Sequence, residues 1–171
     1  CGEGRLLKLI LDNKELPGLT NLSGMDVSGR SLTILGRRLR QSLEQNKVNV
    51  FQGSLTYRDA RLKGFDAATC VEVVEHLDAD RLPAFEKVVF EQARPRAVIV
   101  TTPNIEYNVK FESLRNGKLR HRDHRFEFTR QEFNSWCQSI SERFGYKYAV
   151  SPIGDFDEAV GAPTQMAVFQ L

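Results

Sequence analysis

A chain of 171 residues, 41% hydrophobic and 27% charged, has the balance of one globular domain and excludes a mainly disordered, collagen-like or coiled-coil protein. No apolar run approaches the ~18 residues that a membrane-spanning helix needs. A formal net charge of +2 confines any nucleic-acid role to a local basic patch. Three cysteines, Cys1, Cys70 and Cys137, are too few and too scattered for a disulfide framework or a thiolate zinc site, and a reducing, cytoplasmic setting fits them.

The predicted elements alternate between helical and strand-like periods. Leu6, Leu7, Ile10 and Leu11 give Gly4–Leu11 a helical spacing, ended by Pro17-Gly18. Leu19–Val27 reads as a strand finishing near Asp26, and Ser28 is the N-cap of a basic helix through Leu43. Val48–Phe51 is a short strand followed by Gly53-Ser54. Asp66–Val74 is a continuous apolar stretch that suits a buried strand of a parallel sheet. Asp80–Gln92 is helical, and Arg96–Thr101 is another buried strand, stopped by Pro103-Asn104. Residues 104–128 carry aromatic, basic and histidine residues without clear period, as functional segments inside compact domains often do. Thr129 begins an amphipathic helix to Phe144, with Gly145 as its C-cap. Tyr146–Val150 and Met166–Leu171 form a final strand pair with no helix between them, hence antiparallel neighbours. The pattern predicts one α/β domain with a doubly wound sheet over residues 1–171. A chain opening without Met inside a glycine-rich loop reads as a fragment of a longer protein.

Doubly wound sheets bind ligands at the carboxyl ends of their strands, and three features fall there. Cys1-Gly2-Glu3-Gly4 opens a helix, where glycines permit close backbone approach and the free N–H groups receive a carboxylate or phosphate. Asp26 ends the next strand and can accept hydrogen bonds from both ribose hydroxyls, while Ser54 follows the third strand, where an adenine edge would sit. Read alone, the Gly-x-Gly serves equally as a turn and Asp26 as a helix cap. Taken in this order they favour an adenosine-type ligand. Leu7 stands where a dinucleotide fingerprint needs its third glycine, which argues against NAD. The pattern resembles class I S-adenosylmethionine-dependent methyltransferases.

The segment Glu72-Val73-Val74-Glu75-His76 is the sharpest signal. On a helical turn Glu72 would share a face with Glu75 and His76, at i+3 and i+4. Two carboxylates and an imidazole suit a divalent cation such as Mg²⁺ or Mn²⁺. They serve equally as a solvated helix start or a carboxylate–imidazole pair. The remaining histidines, His121 and His124, lie in the irregular segment, which can supply a fourth ligand.

With these residues on the page a closer resemblance stands out. Glu72-Val73-Val74-Glu75-His76-Leu77, Thr102-Pro103-Asn104, the run Arg120 to Arg130 containing Asp123-His124-Arg125-Phe126-Glu127, and the ending Gly161 to Phe169 resemble the small-RNA 3′-terminal ribose 2′-O-methyltransferases, above all their bacterial RNA-repair branch. The resemblance runs over nearly the whole chain. It implies a class I methyltransferase fold whose first strand would precede Cys1, with S-adenosylmethionine held at Gly2, Gly4, Asp26 and Ser54. It implies a divalent metal, Mn²⁺ or Mg²⁺, on Glu72, Glu75, His76 and His124, and it gives His121 a task at the RNA end or in proton transfer. The implied substrate is RNA with a free 3′-terminal 2′,3′-diol. Lys118, Arg120, Arg122 and Arg125 form the densest basic cluster near this loop, with Lys110 and Arg115 beside it, and would hold phosphates. Tyr107, Phe111 and Phe126 are candidates for stacking on terminal bases. The implied partner is an end-healing and ligating repair protein. A metal-dependent catechol-type O-methyltransferase and a non-catalytic RNA-binding module of a repair complex are the alternatives.

Overall fold

The structure, a computed structural model, describes residues 1–16, 18–114 and 118–171. The predicted break at Pro17 and the basic residue Arg115 lie outside the described residues. The chain forms two compact units, Cys1–Tyr57 and Arg58–Leu171. Among the described residues no helix is long and apolar enough to cross a membrane.

The first unit holds helix α1 (Arg5–Asp12), strand β1 (Ser23–Asp26), helices α2 (Gly29–Arg38) and α3 (Arg40–Glu44), and strand β2 (Asn49–Gln52). β1 and β2 pair in parallel, Asp26 opposite Gln52. Leu7, Leu35, Leu39 and Val48 form the core, with Leu11, Leu22, Leu32, Leu43 and Val50 packed against it. The Ser28 hydroxyl accepts from the Ser31 N–H at 3.2 Å, the N-cap that the sequence predicts. The single basic helix expected through Leu43 is divided instead at Leu39, whose buried side chain ends α2 and begins α3.

The second unit is a four-stranded mixed sheet in the order β3-β4-β6-β5, built from β3 (Ala67–Val71), β4 (Ala97–Pro103), β5 (Lys147–Ile153) and β6 (Thr164–Gln170). β3 and β4 are parallel, and β6 runs antiparallel to both β4 and β5. The helix-free final pair is therefore antiparallel, as expected. The strand predicted over Asp66–Val74 stops at Val71, because Glu72 takes a left-handed φ of 52° that no strand continues. β3 stands at one end of the four strands described, with Val71 45% exposed and Cys70 buried.

The helix expected over Asp80–Gln92 is a composite. A 3₁₀ turn (Ala79–Arg81) leads into α4 (Leu82–Glu86), which continues as a π-helical stretch (Lys87–Ala93). It buries Phe85, Val88, Val89 and Phe90. Helix α5 (Arg130–Phe144) begins on a reciprocal capping box between Thr129 and Glu132 and ends at Gly145 with φ 78°. Its buried face carries Phe133, Trp136, Cys137, Ile140 and Phe144. Phe90 centres an aromatic cluster, 5.0 Å from Phe169 and 5.4 Å from Tyr146 between ring centroids. Glu86 is buried among these groups and accepts from Trp136 Nε1 at 2.8 Å and from Arg143 at 2.5 Å.

Candidate functional site

In the first unit the glycine loop and Asp26 form one assembly. Gly2 and Gly4 adopt φ of 54° and 79°, and a Cβ on Gly4 would lie 2.7 Å from Leu35 Cγ. Only glycine combines that backbone with that approach. Asp26 Oδ2 accepts from the Gly2 N–H at 2.7 Å and Oδ1 from the Ser28 N–H at 2.9 Å. Burial works to raise the Asp26 pKa, and the N–H groups of Ser28 and Gly2 together with the Cys1 ammonium 3.1 Å away outweigh it and hold it below the usual carboxylate range. The carboxylate thus stays charged while tying the glycine loop to the start of α2. Ser54 shares a hydrogen bond of 2.9 Å with Thr56 Oγ1 just beyond β2.

In the second unit the acidic and histidine residues gather past the carboxyl ends of β3 and β4. The helical turn expected for Glu72, Glu75 and His76 is not what aligns them. Glu72 sits in its left-handed conformation, Val73 is irregular, and only Val74–His76 form a single 3₁₀ turn. Thr101 holds Glu72 from two sides: its hydroxyl donates to Glu72 Oε1 at 2.9 Å, and its carbonyl oxygen accepts from the Glu72 N–H at 3.1 Å. Glu75 is fully buried. Its Oε2 accepts from the Thr102 hydroxyl at 3.1 Å, and its Oε1 has no hydrogen-bond partner. Burial pushes the Glu75 pKa up to about 7 against the lowering effect of its own backbone N–H, and the Glu72 and Glu127 carboxylates add to the rise.

The loop brings His124 to this point. The Arg125 N–H donates to the Glu75 carbonyl oxygen at 2.7 Å, and the His76 and His124 rings meet edge to face at 4.8 Å. Glu75, His76 and His124 each offer one ligand atom, and those atoms lie within 4.8 Å of one another. An orphaned buried carboxylate oxygen beside two imidazoles is a donor set that fits a divalent cation. Glu72 lies outside that trio, although its charge reaches Glu75. His76 Nδ1 is 3.3 Å from the Asp123 carbonyl oxygen, which can only accept, so the His76 Nε2 lone pair is the one left for a ligand.

The basic cluster divides. Lys118, Arg122 and Arg125 are exposed, Arg125 reaching Asp78 at 3.3 Å. Arg120 turns inward. Its guanidinium donates to Asn108 Oδ1 at 2.9 Å, to the Asn104 carbonyl at 3.1 Å and to the Pro163 carbonyl. With three of its five N–H donors on these acceptors, the guanidinium stitches the loop to the end of β4. His121 is exposed, its ring centroid 5.9 Å from that of His124. Phe111 is 38% exposed, 5.7 Å from Tyr107, with the Arg120 guanidinium over its ring at 5.4 Å. Phe126 packs on Phe128 at 4.8 Å, and Phe128 in turn on Trp136, which places this pair beside the aromatic core. Sequence reasoning missed Glu127 and Asn108, buried polar residues that hold this loop from within. Glu127 stands in the visible run Asp123-His124-Arg125-Phe126-Glu127 and Asn108 well before it, and the burial of both depends on how the loop folds back.

A family model described as a methyltransferase domain matches residues 1–99. The chain is 37% identical to the mouse small RNA 2′-O-methyltransferase over 180 residues, covering 99% of this chain and 44% of that protein. It is 32% identical to the Arabidopsis thaliana small RNA 2′-O-methyltransferase over 188 residues, covering 99% and 20%. The chain thus spans less than half the length of these curated relatives. Among solved structures, the methyltransferase domain of bacterial CtHen1 superposes with a TM-score of 0.86 at 45% identity, over 100% of this chain and 86% of that one. An S-adenosylmethionine-dependent methyltransferase from Clostridium acetobutylicum shares the fold at 13% identity, with a TM-score of 0.70 over 100% of this chain and 81% of that one.

Proposed function

Because this chain belongs to the family of methyltransferase domains found in small RNA 2′-O-methyltransferases, we propose that it moves a methyl group from S-adenosylmethionine to the 2′-hydroxyl of the 3′-terminal ribose of RNA. The observation that carries the reading is the Glu75, His76 and His124 trio, with its unpartnered buried carboxylate oxygen.

In this reading Gly2 and Gly4 let the backbone approach the cofactor, Asp26 accepts from its ribose hydroxyls, and Ser54 lies toward its adenine. Glu75, His76 and His124, with Glu72 beside them, hold Mn²⁺ or Mg²⁺. Such a cation, when bound, supplies the Lewis acidity that lowers the pKa of a vicinal ribose diol. Internal riboses lack a free 3′-hydroxyl, so a site that needs both hydroxyls selects an unblocked 3′ end. Lys118, Arg122 and Arg125 hold phosphates, and the exposed face of Phe111 with Tyr107 receives a terminal base. Transfer to the 2′-oxygen releases a proton, and His121 on the same loop is assigned here to the RNA end or to that proton transfer. The exposed basic residues favour RNA over a catechol-type substrate. We place the reaction in RNA repair with an end-healing and ligating partner, as the motif resemblance implies.

The test is methyl transfer by the full-length protein from labelled S-adenosylmethionine to RNAs ending in a 2′,3′-diol, a 3′-phosphate or a 2′-deoxyribose, each with Mn²⁺ and with chelator. Transfer to the diol end alone, and only with metal, is the expected result. A folded protein that binds S-adenosylmethionine yet methylates none of these RNAs refutes the reading. Transfer to a small diol instead would select the catechol-type alternative, and RNA binding without any transfer the non-catalytic one.

A further inference from the structure

We propose that Arg120, Asn108 and Glu127 are positioning residues that set the tautomer of His124, so that its Nε2 lone pair is the one presented beside Glu75 and His76. The inference rests on the metal reading of that trio and adds to it the groups that decide which ring nitrogen serves.

The argument follows hydrogen-bond polarity from atoms whose role admits no choice. Arg120 Nε can only donate, and it lies 2.9 Å from one end of the Asn108 amide. The Lys118 carbonyl oxygen can only accept, and it lies 3.2 Å from the other end. Both contacts orient the amide the same way, with Oδ1 toward Arg120 and Nδ2 toward Lys118. Asn108 Nδ2 then has its second hydrogen for Glu127 Oε2, 2.6 Å away. The Arg120 backbone N–H, again only a donor, lies 2.6 Å from Glu127 Oε1. Both Glu127 oxygens therefore accept, beside the Arg120 guanidinium. His124 Nδ1 lies 2.6 Å from that same Oε1 and completes the relay as a donor. An imidazole with its proton on Nδ1 has its lone pair on Nε2.

Burial makes the relay effective. Asn108 and Glu127 are 2% and 5% exposed, so no water competes for these atoms. A carboxylate behind a ligating imidazole fixes ring orientation and raises ligand basicity. His76 reaches the same outcome through the Asp123 carbonyl oxygen, so both imidazoles present Nε2. Glu127→Gln preserves the shape and breaks the polarity. The new NH₂ must face either the Asn108 NH₂, donor against donor, or the His124 end, where it drives the proton to Nε2.

Two measurements test the proposal. Nitrogen-15 NMR of the three histidines in metal-free wild type, above the pH at which they titrate, should show His124 with its proton on Nδ1. Mn²⁺ titration followed by calorimetry should show E127Q binding about 10- to 100-fold more weakly than wild type, with circular dichroism reporting the fold. A proton on Nε2 of His124 in wild type overturns the proposal, whether or not E127Q folds. Wild type and E127Q binding Mn²⁺ equally also overturns it and leaves the metal reading standing. A wild type that takes up no Mn²⁺ overturns the metal reading and this proposal with it.

Discussion

Glutamine at position 75 separates the cost of keeping a buried carboxylate from the use made of it. In the metal-free protein Glu75 is enclosed, has one oxygen without a partner, and titrates near 7 instead of 4.5. A carboxyl whose pKa is raised on folding contributes its full share to stability below the unfolded value. That share is lost as pH rises from about 4.5 through about 7. The gap corresponds to about 3 kcal/mol of destabilisation once the group must ionise. Glu75→Gln keeps an acceptor for the Thr102 hydroxyl and has nothing to ionise, so its stability lacks this decline. Urea unfolding with chelator, followed by the fluorescence of the single tryptophan, Trp136, reports on the unit that contains Glu75. At an m-value of about 2 kcal/mol per M, the variant's midpoint should gain about 1.5 M on wild type between pH 4.5 and pH 8. Mn²⁺ should raise the wild-type midpoint at pH 8 and leave the variant unmoved. A separation between the two proteins that is the same at both pH values would refute the reasoning, because the burial cost would then not be one of ionisation.

Three further outcomes follow from the same geometry. Gly4→Ala places a methyl group against Leu35 on a left-handed backbone, and should lower stability by about 1–3 kcal/mol and weaken S-adenosylmethionine binding, measured by thermal unfolding and calorimetry. Thr129→Ala removes the hydroxyl that accepts from the Glu132 N–H at 3.1 Å, and should cost about 1 kcal/mol of stability in denaturant titrations while leaving cofactor affinity unchanged. Replacing Arg122 and Arg125 together with alanine should weaken RNA binding and reduce the salt slope of log K by about 1.4, seen by fluorescence anisotropy across a range of salt concentrations. An unchanged slope would remove these side chains from the RNA interface.

What could be read from the residues was whatever local chemistry decides. The Ser28 and Thr129 caps and the Gly145 terminus are set by a few adjacent atoms, and they stand where the sequence puts them. The antiparallel final strands were legible because no helix separates them. The grouping of Glu75 with His76 was legible from spacing, but for the wrong reason, since no regular helix carries them. The inward turn of Arg120 was hidden, because an arginine in a basic run looks like its neighbours until carbonyl oxygens from Asn104 and Pro163 close around it. Glu127 was hidden likewise: nothing in Phe126-Glu127-Phe128 marks the middle residue as the buried acceptor of three donors from elsewhere in the loop. The π-helical extension of α4 escaped because the apolar spacing over Asp80–Gln92 also satisfies an ordinary helix.

The positive φ of Glu72 sets two kinds of selection against each other. A glycine would occupy that backbone with less strain, and would also delete the carboxylate that faces Thr101 and Glu75. Glu72→Gly is therefore the kind of substitution that a laboratory screen for heat resistance alone would collect. Under the proposed metal-dependent reaction a screen that also demanded turnover would reject it, and the first residue beyond β3 would then mark where this domain trades robustness for chemistry.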